Sequence, residues 1–89
     1  MIDQVLNERH KTYGAFADLA RATFAIREVV YAELEKRNKS LDPDQLYALE
    51  MIIVKVGRLI NGDASHRDTW ADICGYSQLI VERLDGRKL

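Results

Sequence analysis

Apolar residues recur at helical spacing along almost the whole of this chain. The densest run is Leu46 to Ile60, LYALEMIIVKVGRLI, where Leu46, Leu49, Ile53, Val56 and Ile60 follow one another at alternating intervals of three and four. Such spacing is one face of an α-helix carried through two heptads. A second row, Ile52, Val56 and Leu59, widens that face until little of the cylinder is polar. The pattern predicts a central helix covered on more than one side. Its ends are marked as well. Asp42-Pro43-Asp44-Gln45 offers an N-cap carboxylate, a proline at the first helical position and a capping-box glutamine. Asn61-Gly62-Asp63 offers the left-handed residue that helix C-termini favour. The predicted helix is 43–61.

Three more helices follow from the same periodicity. A short one over 1–12 turns Ile2, Val5 and Leu6 inward and is broken by Tyr13-Gly14. A long one over 15–39 carries Phe16, Leu19, Thr23, Ile26, Val30 and Leu34 on one face, with Phe24 and Tyr31 as a second stripe suited to another helix or a partner. The last, 66–85, presents Trp70, Ile73, Ser77, Ile80 and Leu84, widened by Cys74 and Val81; Ser65 is its expected N-cap, with Asp68 completing the cap. It should stop near Asp85-Gly86 and leave residues 87–89 as a frayed tail. The connector Asn38-Lys39-Ser40-Leu41 is short, which makes its flanking helices antiparallel neighbours. Gly57 and Gly75 sit inside predicted helices, where glycine is unfavourable unless backbones approach closely. The third and fourth helices are therefore expected to cross there. No segment alternates with strand period. The fold class is all-α: a compact bundle of three main helices plus a short N-terminal helix, in a single helical domain over 1–89.

A domain of 89 residues buries only about 60 to 65% of its unfolded surface. Its core is thin, and completion by a second copy is expected, giving a homo-oligomer. Thirteen basic and fourteen acidic residues leave a net charge of −1, with no basic stripe. Phosphate contacts supply most of a nucleic-acid binder's affinity, so no DNA partner is expected. Cys74 is the one cysteine, which rules out a disulfide within the chain and, with two scattered histidines, a zinc signature. No apolar run approaches the roughly 18 residues of a membrane span. The first ten residues, MIDQVLNERH, carry an acid and no apolar signal region. A cytoplasmic location is the expectation.

Chemistry must come from the few polar residues beside the central helix. Asp68 and Asp72 lie one turn apart; with Glu50 from the neighbouring helix they would share a magnesium ion, while Lys55 and Arg58 faced a nucleotide's phosphates. The structural alternative pairs Asp72 with Lys55 or Arg58 and leaves Asp68 to the helix dipole. Arg9-His10-Lys11-Thr12-Tyr13-Gly14 gathers basic and hydroxyl groups at a helix break suited to an anion, and His66-Arg67 opens a second basic helix start. Tyr76 and Trp70 could each stack a base or serve the core. The ligand-binding candidates are His10, Lys11, Tyr13, Lys55, Arg58, His66 and Tyr76. No catalytic residue is assigned, since no nucleophile and base stand at a readable spacing, and no resident cofactor is expected outside the magnesium reading.

The run KVGRLINGDASHRDTWADICGYSQLIVERL, with ERHKTYGAF near the start, resembles a group of uncharacterised small helical proteins of tailed phages and prophages. The shared pattern falls on Tyr13, Gly14, Lys55, Arg58, Gly62, Asp63, Asp68, Asp72, Gly75 and Tyr76. That resemblance implies a binding or interaction protein in a bacterial host's cytoplasm. It would act by self-association and by occupying a host protein or a phosphorylated small molecule, as a host-defence antagonist does. More remotely the arrangement is similar to MazG-type all-α nucleoside triphosphate pyrophosphohydrolases, which place magnesium-binding acids on two adjacent helices. Their paired-glutamate helix has its nearest counterpart in Glu33 and Glu35, two residues apart and on different faces.

Overall fold

The computed structural model describes residues 1–88; Leu89, part of the expected tail, lies outside the described residues. Four helices follow one another: α1 (Ile2–Tyr13), α2 (Phe16–Lys36), α3 (Pro43–Asn61) and α4 (Arg67–Leu84). There is no strand among the described residues. α3 packs on α2 along one side and α4 along the other, while α2 and α4 do not meet. The three form a layer with α3 in the middle, and α1 touches only its α2–α3 end.

Local chemistry sets most helix ends. α3 begins with Pro43 in its first turn and a capping box between Asp42 and Gln45, the Asp42 N–H donating to Gln45 Oε1 at 2.9 Å. α4 ends as expected: Gly86 takes φ 95°, and the N–H groups of Gly86 and Arg87 return to the carbonyls of Arg83 and Glu82, which closes the last turn. Arg87 also pairs with Glu82.

Other ends depart from the sequence reading. α2 stops at Lys36 and not at Lys39, because Asn38 adopts a left-handed φ of 50° and the Lys39 N–H closes on Leu34 O at 2.9 Å. Gly62 is not left-handed, having φ −130°. It is glycine because a Cβ there would run into the backbone of Thr12 and Tyr13. The N-cap of α4 is His66, and Ser65 makes no cap; the Ser65 N–H instead donates to Asp63 Oδ1 at 2.9 Å.

The two helical glycines do not mark an α3–α4 crossing. A Cβ on Gly57 would sit on Thr23 Oγ1 of α2, whereas one on Gly75 would meet nothing. Gly57 lets α2 and α3 approach; Gly75 has open space beside it.

Burial is sparse. Ala48, Ile53, Lys55, Gly57 and Thr69 are the buried residues of the helices. Leu46, Leu49 and Val56 of the expected core face are half-buried and Ile60 is exposed. Trp70, expected in the core, is exposed and donates from Nε1 to Ala64 O at 2.8 Å. Phe16, Phe24, Cys74 and the α1 residues Ile2, Val5 and Leu6 are exposed as well. α3 is central in position, but a layer covers a helix on two sides and leaves two flanks open. No helix is long and apolar enough to cross a membrane among the described residues.

These contacts reverse the usual sign of a helical glycine substitution at one of two positions. Gly57→Ala should lower stability by about 1–3 kcal/mol through overpacking, with Thr23→Ala restoring part of it. Gly75→Ala should raise stability by about 0.5–1 kcal/mol, as in an open helix. Paired urea unfolding curves check both.

Candidate functional site

Two chain breaks meet at one end of the layer. Asn61 Nδ2, at the close of α3, donates to Tyr13 O at 2.8 Å and to Ala15 O at 3.1 Å. The Asp63 N–H donates to Thr12 O at 2.6 Å. Gly14 turns with φ 80°, and a Cβ on it would strike Asn61. The last turn of α1 is thereby fixed on the end of α3, and Tyr13 with it.

Around that tyrosine stands the densest set of cations without partners in the fold. The Arg58 guanidinium lies 4.4 Å from the Tyr13 ring centre, and that of Arg9, one helical turn before Tyr13, lies 5.6 Å away. His66 meets the same ring edge-on, with centroids 5.7 Å apart. Its Nδ1 is 2.8 Å from the hydroxyl of buried Thr69, which holds the imidazole in place. A cavity of about 320 Å³ opens beside this group, lined by Arg9, His10, Tyr13 and Arg58 with apolar walls from Phe16 and Leu19.

The charge pattern singles this cavity out. The chain has eight arginines, and six of them, Arg21, Arg27, Arg37, Arg67, Arg83 and Arg87, sit in ion pairs. Among the described residues Arg9 and Arg58 have no such partner, and both lie against Tyr13. Arg58 Nε is buried and makes no hydrogen bond. A buried donor left unpaired costs about 1–3 kcal/mol, and more when it is charged.

The candidates read from the sequence separate into groups. His10, Tyr13 and Arg58 line the cavity and His66 abuts it. Lys11, although adjacent in sequence, is exposed and does not line it. Lys55 is buried against α4, its Nζ 3.0 Å from Asp72 Oδ2. Tyr76 belongs to a different cavity of about 380 Å³, shared with Asp44, Tyr47 and Arg83. Arg9 belongs to the basic run at the helix break but, like Phe16, is not among the candidates, although it stands four residues before Tyr13, a spacing that brings side chains together on a helix.

The three acids of the magnesium reading are not brought together within the chain. Glu50 accepts from Arg27 Nε at 3.0 Å and from the Tyr31 hydroxyl on α2. Asp72 holds Lys55. Asp68 is exposed beside Arg67. No group of three His, Cys, Asp or Glu side chains suited to a metal occurs among the described residues. Hydrogen bonds from Tyr31 and then Arg27 pull the Glu50 pKa below its ordinary value. The same contacts with Glu50 raise Tyr31 and Arg27. At the far end of the layer Arg83 spans Asp42 and Asp44 and lowers Asp44 by hydrogen bonding.

A small all-α domain with an arginine-rich cavity at its hinge is the class that fold and site define. The chain belongs to the family described as Domain of unknown function (DUF6378), which it matches over residues 2–84. No curated protein and no solved structure matches it.

Asp72→Asn should lower stability by about 1–2 kcal/mol by leaving Lys55 buried without its counter-charge, measured by chemical denaturation. Glu50 has a lowered folded pKa, so its contribution is complete above the unfolded value and fades as pH falls through the folded one. The stability gap between the wild type and Glu50→Gln should therefore be widest near neutrality and close below about pH 4.

Proposed function

We propose that this domain is a binding module for a small phosphorylated molecule, held in the cavity between α1, α2 and α3. The observation that carries the reading is the pair of guanidiniums without ion-pair partners, Arg58 and Arg9, that line the cavity against Tyr13. Arg58 and Arg9 together supply two forks of donors of the kind that match phosphate oxygens. The apolar walls from Phe16 and Leu19 suit a ring or alkyl portion of the same ligand. A volume of about 320 Å³ is at the small end of ligand pockets, which favours a molecule of mononucleotide size or less.

The mode of action that fits is occupancy of the ligand. The resemblance to small phage-type helical proteins supports that mode, with a host signalling molecule sequestered as the effect. The alternative, magnesium-dependent pyrophosphohydrolysis, would need acids gathered from a second chain, since Glu50, Asp68 and Asp72 are each engaged with a different cation.

Titration calorimetry with inorganic phosphate, adenosine monophosphate and adenosine as probes tests the reading. Phosphate and the monophosphate should bind and adenosine should not, with affinity falling as salt rises. Arg58→Gln should weaken binding at least tenfold, about 1.4 kcal/mol, while the helical circular dichroism spectrum is kept. Absence of heat with every probe, or wild-type affinity kept in both Arg58→Gln and Arg9→Gln, would overturn it and direct attention to host proteins.

A further inference from the structure

We propose that the domain is a two-fold dimer of identical chains, built on the flank of the α2–α3–α4 layer that exposes Val29, Ile60, Val81 and Leu84. Gly57 faces α2 and Lys55 faces α4, which fixes the rotation of α3. At about 100° per residue, Leu49, Val56 and Ile60 then fall on one flank and Tyr47, Met51 and Arg58 on the other. The first flank continues onto α2 at Val29 and onto α4 at Val81 and Leu84. In the single chain Val29 and Ile60 are each 64% exposed, Leu84 61% and Val81 48%. This stripe of aliphatic side chains crosses three helices, far more than a lone exposed leucine, and beside it on α2 Glu33 is neutralised by Arg37 at 3.7 Å.

The surface of the chain says how much cover is missing. Its accessible area is 6752 Å², against about 5,300 Å² expected of a compact monomer of this mass. The radius of gyration is 15.2 Å, against about 12 Å for a compact domain of this length. The excess, about 1,400 Å² per chain, matches one side of an obligate dimer interface, which buries roughly 2,000–5,000 Å² in all. The buried apolar side chains of the lone chain are Ala48 and Ile53, too few to hold a layer of three helices together.

A second copy is the occupant that this shortage selects. A chain whose core is missing needs its cover as soon as it folds, and another molecule of itself is always present then. A two-fold axis sets the same patch against itself, and an aliphatic patch is complementary to its own copy. Arg58 lies on the opposite flank from Val56, so the dimer leaves the phosphate cavity open and the two proposals stand independently.

Two variants of equal exposure on α3 test the face. Ile60 is 64% and Tyr47 66% exposed in the single chain, so a lysine at either costs a monomer little. Light scattering behind size exclusion should give the wild type twice the 10.2 kDa chain mass at micromolar concentration. Its melting temperature should rise with protein concentration. Ile60→Lys should shift the mass toward one chain at least tenfold more readily on dilution, and Tyr47→Lys should not. If Ile60→Lys fails to fold, the concentration dependence of wild-type melting decides. A wild type that stays monomeric and melts cooperatively at a concentration-independent temperature overturns the dimer. A dimer split by Tyr47→Lys and untouched by a folded Ile60→Lys overturns the assigned face.

Discussion

The fold rests on the meeting of two chain breaks, where Asn61 reaches from the end of α3 to the carbonyls of Tyr13 and Ala15. The side-chain amide satisfies the Tyr13 carbonyl, which the gap between α1 and α2 leaves open, and adds a second bond to the Ala15 carbonyl, which already accepts from the Leu19 N–H. Gly14 and Gly62 admit the contact, because each would place a Cβ into the opposing break. From this point α1 is oriented and Tyr13 becomes the platform of the cavity. The position of α4 is set from the same junction, through the Asp63 amide on Thr12.

Away from that junction the layer is held by charge as much as by packing. Arg27 and Tyr31 fasten α2 to Glu50, Lys55 fastens α3 to Asp72, and Arg83 draws the end of α4 to Asp42 and Asp44 at the start of α3. The exposed pairs of Arg83 contribute little each and register helices whose apolar contacts are few, whereas Asp72 neutralises a buried Lys55. Against this thorough pairing, the two unpaired guanidiniums on Tyr13 stand out as groups kept for something other than the fold.

The sequence was most legible where structure is local. The start of α3, read from Asp42, Pro43 and Gln45, and the stop at Gly86 depend on chemistry within a few residues, and both form. Asn38 ended α2 early because asparagine takes the left-handed turn more readily than most other residues that carry a side chain. The glycines show the other limit. Gly57 and Gly75 look alike in a helical pattern, and only the placement of Thr23 distinguishes a close crossing from empty space. The site divided in the same way: the cluster around Tyr13 was visible as a basic helix break and Arg58 as a polar exception on α3. Their convergence depended on Asn61, and nothing local placed Tyr76 in a separate cavity or gave Lys55 to Asp72. The breadth of the α3 stripe was read as burial, yet a flat layer leaves much of it bare.

The interlocked elbows also constrain how such a chain can drift in sequence. Where side chain meets side chain, a change on one surface is absorbed by a smaller residue on the other. At Gly62 the neighbour is the backbone of Thr12 and Tyr13, which no substitution can shrink. Gly62 is therefore closed to replacement, whereas the exposed connector from Arg37 to Ser40 is free to lengthen or to accept a fused segment. Diversity among chains of this fold should collect at one end of the layer and be nearly absent at the other.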